Sequence, residues 1–147
     1  MILNTSFISR CLAGSACVLA AASVHAGPAD EARAHFQAIA SGDVATLMTS
    51  YAPQAQFQWV GGPLDGAYTD VKAIQDVWTK FTTAQGPLKL TVADVQEAAN
   101  PKGATVSANV LFEGKAPIKV RYILTYREGK IVNEVWQIDP NLNVATR

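Results

Sequence analysis

Gly129-Lys130-Ile131-Val132-Asn133-Glu134-Val135-Trp136-Gln137-Ile138-Asp139-Pro140 closes a stretch, residues 88 to 139, that reads as four successive strands joined by turns. Upstream of it, Leu88, Leu90 and Val92 alternate with Lys89, Thr91 and Ala93. Val106, Ala108, Val110 and Phe112 alternate with Thr105, Ser107, Asn109 and Leu111, and Ile118, Val120, Tyr122, Leu124 and Tyr126 with Lys119, Arg121, Ile123, Thr125 and Arg127. Successive side chains of a strand point to opposite faces, so the pattern describes strands with one apolar and one mixed face. The connections are Asn100-Pro101-Lys102-Gly103, Glu113-Gly114-Lys115-Ala116-Pro117 and Arg127-Glu128-Gly129-Lys130. In the last, glycine supplies the positive φ of a tight hairpin, so antiparallel pairing follows.

Helices precede this meander. Ala32, Phe36, Ile39 and Ala40 recur at near-helical spacing over 28–40, with Asp30 and Glu31 in the first turn, where the helix dipole favours negative charge. Ser41-Gly42 is a natural stop. Asp43 can cap a second short helix, 44–51, which Pro53 terminates. Gln56-Phe57-Gln58-Trp59-Val60 alternates as a half-buried strand does, and Gly61 to Gly66 turns the chain. Asp70 or Thr69 caps a third helix whose Val71, Ile74, Trp78 and Phe81 form an apolar stripe. That stripe needs an apolar surface, which the strands supply. The expected architecture is α+β: a curved antiparallel sheet wrapped around three helices from the N-terminal half and enclosing a pocket.

The first 26 residues read as a secretory signal peptide, with a cation at Arg10, an apolar stretch from Leu12 to Ala22 and the small-residue ending Val24-His25-Ala26. The apolar stretch is shorter than the roughly 20 residues that cross a bilayer. Cleavage after Ala26 would leave one domain, 27–147, destined for the periplasm or the exterior. Both cysteines, Cys11 and Cys17, lie in the leader, so the remaining chain offers no disulfide, no thiolate metal site and no cysteine nucleophile. It would carry 11 Lys plus Arg against 12 Asp plus Glu. A near-neutral chain with no basic run lacks the field that holds a nucleic acid, and no cationic cluster faces a membrane after cleavage. A small molecule or another protein is the expected partner.

The order of these pieces resembles the nuclear transport factor 2-like superfamily, with its cystatin-like architecture, and specifically its SnoaL-like branch. The resemblance rests on Ala38-Ile39-Ala40-Ser41-Gly42-Asp43-Val44-Ala45-Thr46-Leu47 with Tyr51-Ala52-Pro53, the helix around Ala73-Ile74, and Gly129-Lys130-Ile131-Val132 with Trp136 and Asp139. It covers nearly all of 28–140 and implies a cone-shaped, strongly bent mixed sheet around three helices, a cavity at one end, and homodimerisation. Exposed Ile123 and Leu111 on otherwise polar strand faces agree with a dimer. The superfamily includes isomerases, cyclases, dehydratases and epoxide hydrolases, and also members that only bind or scaffold, so the residues must decide function.

Acid–base catalysis in such a cavity needs a proton acceptor and a donor that stabilises developing oxyanion charge. By position, Asp139 resembles the acid some cyclases use; Gln137 shares its strand face, and Tyr51, Tyr122 and Tyr126 could donate hydrogen bonds. Asp139, Tyr51 and Gln137 are therefore the candidate catalytic set. His35, Trp59, Trp78, Phe81, Tyr122, Leu124, Tyr126 and Trp136 are the candidate cavity lining. Each has a plainer reading: Asp139 before Pro140 as a turn former, His35 as a surface or rim residue, the aromatics as core. One His without Cys argues against a zinc site, and no metal or cofactor is expected. Two acids flanking Arg121, with Asp94 and Asp139 as conceivable partners, would be needed for epoxide hydrolysis. Lacking a complete acid–base set, the chain reads as a module that binds a small apolar or amphipathic ligand, or a protein partner. The alternative is a cofactor-free isomerase, cyclase or hydrolase with Asp139 as base.

Overall fold

The computed structural model describes residues 26–144; the leader cation Arg10, both cysteines and the residues flanking them lie outside this range. In chain order the elements are α1 (Pro28–Ser41), α2 (Val44–Thr49), β1 (Tyr51–Val60), β2 (Gly66–Tyr68), α3 (Val71–Gln85), β3 (Lys89–Asn100), β4 (Gly103–Glu113), β5 (Pro117–Arg127) and β6 (Lys130–Ile138). One six-stranded sheet has the order β2-β1-β6-β5-β4-β3. β1 runs parallel to β6 and every other pair is antiparallel. The α+β architecture, with an open curved sheet and three helices on its concave side, matches the sequence pattern.

Local signals explain the boundaries. Asp43 accepts the Thr46 N–H at 3.1 Å and Asp70 the Ala73 N–H at 2.8 Å, so both short polar side chains cap helices. Gly42, at φ 74°, ends α1 in the left-handed conformation. Two expectations are corrected. α2 stops at Thr49, and Tyr51-Ala52-Pro53 already belongs to β1. Pro53 is accommodated because the β1–β6 register shifts between Tyr51 and Gln56, where a missing N–H breaks no ladder bond. In addition, the three-residue β2 pairs with β1 at the sheet edge, in a segment that carries no strand periodicity.

Curvature comes from further register shifts, between Ala93 and Gln96 on β3 and opposite Thr125 and Tyr126 of β5, where β6 carries the extra residue Val132. Asp94 sits in the first of these at φ 52° and accepts a hydrogen bond from Asn109. Such bulges insert a residue and bend the strand, so the sheet folds over the helices. The concave side is filled by side chains from both layers, including Phe36 and Ile39 of α1, Ile74, Trp78 and Phe81 of α3, and Val106, Phe112, Tyr122, Leu124 and Trp136 of the sheet.

Candidate functional site

Every candidate lining residue is buried. His35, Trp59, Trp78, Phe81, Tyr122, Leu124, Tyr126 and Trp136 are each at most 4% exposed. They divide into two groups along the cone. At the end where β1 and β6 begin, polar side chains meet; at the end where those strands finish, aromatic rings stack.

The polar group centres on Glu134, which is fully buried. His35 Nε2 lies 2.6 Å from Glu134 Oε2, and the Tyr51 hydroxyl donates to Glu134 Oε1 at 2.8 Å. Trp78 Nε1–H donates in turn to the Tyr51 oxygen at 2.7 Å. Tyr122 faces the same carboxylate closely enough to feel its charge, without a hydrogen bond of good geometry. Burial, and then the Glu134 charge, push the Tyr51, Tyr122 and Tyr126 hydroxyls above the ordinary phenol range. All three remain protonated donors at neutral pH. His35 is thus an interior residue that pairs with an acid, which rules out its plainer reading as a surface or rim residue. Glu134 was not among the candidates, yet a signal existed: it lies two residues before Trp136 on the same strand face, so an inward Trp136 implies an inward Glu134.

Asp139 lies elsewhere. Its backbone N–H donates to Lys119 O at 3.0 Å, and its carboxylate accepts the Asn141 N–H at 3.0 Å. The side chain therefore closes a turn, the plainer of its two readings. Tyr51 is opposite Ile131 at the other end of β6, so roughly 25 Å of strand separates it from Asp139. Gln137 is exposed on the opposite sheet face. The structure does not bring Asp139, Gln137 and Tyr51 together. Arg121 is likewise exposed on the outer face, and Asp94 is engaged with Asn109.

The aromatic group borders open space. Trp59, Pro63, Leu64, Phe81, Ala84, Ile118, Trp136 and Ile138 line a groove of about 460 Å³, with Lys80 and Gln85 as its polar members. Trp59 and Trp136 stack with centroids 4.5 Å apart at 28°, and Phe81 meets each of them edge-on at 5.3 Å. The rim is built stiffly. Asp65 accepts the Gly61 N–H at 2.7 Å, and the Tyr68 hydroxyl donates to Leu64 O at 2.7 Å. Gly62, at φ 76°, approaches Ile138 so closely that a Cβ would stand 3.0 Å from the Ile138 side chain. A volume in this range and a mainly apolar lining with few polar groups are what small-ligand sites present. Among the described residues no cluster of three or more His, Cys, Asp or Glu could hold a metal ion.

Bent sheet, three helices and a groove at the end of the cone define the nuclear transport factor 2-like class. A family model for the SnoaL-like domain matches residues 32–134, and the chain belongs to that family. No curated protein matches the chain. Among solved structures it is similar to a protein from Thiobacillus denitrificans provisionally named a calcium/calmodulin-dependent protein kinase type II association domain. That match has 16% identity, covers 76% of this chain and 94% of that one, and has a TM-score of 0.65. A nuclear transport factor 2-like protein of unknown function from Pseudomonas putida matches at 17% identity, 76% and 88% coverage and a TM-score of 0.63. A protein from Sinorhizobium meliloti provisionally named a polyketide cyclase matches at 21% identity, 74% and 94% coverage and a TM-score of 0.51. At such identities the likeness establishes the fold.

Proposed function

We propose that this SnoaL-like domain is a binding module that takes a small apolar or amphipathic molecule in the groove between α3, the Gly61–Asp65 loop and the ends of β1 and β6. The observation that carries this reading is the groove itself: Trp59, Phe81 and Trp136 form its floor, and Leu64, Ile118 and Ile138 stand around it. Covering such a surface with an apolar body contributes about 25 cal/mol per Å² of apolar area removed from water. Lys80 at the rim favours an anionic or hydrogen-bond-accepting head over a cationic one. Catalysis from Asp139 has no support in this geometry, because its carboxylate closes a turn remote from the buried donors.

The test is to purify the chain, release bound small molecules and identify them by mass spectrometry, beside an Ala84→Trp variant. Ala84 is exposed on α3 and lines the groove, so a larger ring fills the space without entering the core. An amphipathic compound recovered from the parent chain and lost from the variant is the expected result. Equal recovery from both contradicts the assignment.

Export is part of the same reading. α1 begins at Pro28, two residues beyond the proposed cut, so cleavage after Ala26 would spare every described helix and strand. Deleting residues 1–26 should abolish secretion, and cytosolic retention of the intact precursor would refute it. Pairing of two copies through the outer sheet face is proposed on the exposed Val60 and Ile123 there, the latter opposite Val135. Light scattering should give twice the chain mass, falling to one chain in Ile123→Arg; a monomeric parent chain would contradict the dimer.

A further inference from the structure

We infer that Tyr51 and Glu134 are positioning residues for the groove: a buried hydrogen-bond relay that starts at His35 on α1 fixes Trp78, and Trp78 fixes the aromatic floor on which the ligand lies. This rests on the binding reading above and names what controls the shape of that site.

The relay has a direction set by chemistry. An indole N–H only donates, so Trp78 takes a lone pair of the Tyr51 oxygen, and the Tyr51 O–H is directed to Glu134 Oε1. Glu134 is itself held at its second oxygen by His35, 2.6 Å away. Members of such a buried chain polarise one another, and the loss of one leaves its neighbours unpaired in a medium that cannot replace the bond. Trp78 is therefore fixed in rotation by a polar contact.

Trp59 and Trp136 are not. Neither indole N–H reaches an acceptor among the described residues, so packing alone sets their orientation. That packing bears on Trp78, whose centroid lies 5.6 Å from Trp59, 5.9 Å from Phe81 and 5.8 Å from Trp136, while Phe57 stacks on it at 5.2 Å and 20°. Three floor residues of the groove thus lean on one anchored ring. β6 couples the two ends covalently as well, since Glu134 and Trp136 project from the same face two residues apart. Close-packed interiors transmit such displacements instead of absorbing them. A change at Tyr51 or Glu134 alters a groove that neither residue lines.

The experiment reads the three indole N–H cross-peaks by ¹H–¹⁵N NMR and the Kd for decanoate, an apolar chain with an anionic head. Tyr51→Phe keeps the ring and removes the relay's middle member; Glu134→Leu keeps most of the volume and removes the acceptor of the Tyr51 O–H. Val106→Ala, a buried β4 position outside relay and groove, is the control for general loss of stability. The relay predicts that Tyr51→Phe moves the Trp59 and Trp136 peaks together with that of Trp78, without ligand, and raises the Kd about tenfold, while Val106→Ala leaves it within twofold. Displacement of the Trp78 peak alone with an unchanged Kd overturns the inference, as does an equal loss in Val106→Ala. If Tyr51→Phe does not fold, Glu134→Leu carries the same readouts, since it leaves the Tyr51 O–H without its acceptor. Should the parent chain bind no decanoate, the binding reading fails by itself, and the relay is judged on the ligand-free peaks.

Discussion

Glu134 is the residue on which most of the polar interior depends. Replacing it with Ala leaves His35 Nε2 and the Tyr51 hydroxyl without an acceptor in a buried site, and breaking a buried pair in this way costs about 3–5 kcal/mol. Urea denaturation should show that loss, whereas a double replacement, Glu134→Leu with His35→Phe, should recover part of it because the imidazole no longer stands in the interior without its partner. The tyrosines give a second prediction. Their folded-state pKa values are raised, and an unfolded phenol titrates near 10. Above that pH the unfolded chain sheds protons that the folded chain keeps, so stability is fully present below about pH 10 and falls as pH rises further. Phenolate absorbance from the buried tyrosines should appear together with loss of the fold; its appearance in a still-folded chain would contradict their burial. His35 shows what the sequence held at this scale. It falls three residues after Ala32 and four before Ile39, on the apolar stripe of α1, and that spacing places it inside. What spacing could not provide was its partner, which comes from a strand 99 residues away.

Among the elements, the strands were legible because alternation survives through Leu90, Val106 to Phe112 and Ile118 to Tyr126, and each apolar set does face the helices. Tyr51-Ala52-Pro53 reads as the end of a helix because Pro53 is a helix terminator, and only the tertiary register shift makes a strand tolerable there. Gly66–Tyr68 was missed because three residues carry no period. The hairpin between β5 and β6 offers a direct check: Glu128 and Gly129 adopt φ 51° and 73°, the two-residue turn that asparagine and glycine favour. Glu128→Asn should therefore stabilise the protein by about 0.5–1 kcal/mol. On β3, Asp94→Val should cost about 1–2 kcal/mol, since a β-branched residue resists the left-handed backbone of the bulge, whereas Asp94→Gly should be nearly neutral. Thermal melts of the three variants distinguish a built-in bend from an incidental one.

On the scale of the whole molecule, a bent sheet closes over three helices and its interior is divided. Hydrogen bonds around Glu134 occupy one end, with a smaller pocket beside His35 and Tyr126; stacked rings occupy the other, and the apolar groove lies beyond them. The family's fold could be read from the order of its elements, but whether the concave side is hollow depends on side-chain volumes, and here Trp59, Trp78 and Trp136 fill it. The groove floored by Trp59, Phe81 and Trp136 is the proposed binding site. Its most direct test is a calorimetric titration of the full chain with decanoate at several temperatures, beside Ala84→Trp. Saturable binding with a negative heat-capacity change, lost in the groove-filling variant, is the predicted result. Absence of binding below the decanoate micelle concentration, or equal binding by the variant, would contradict it.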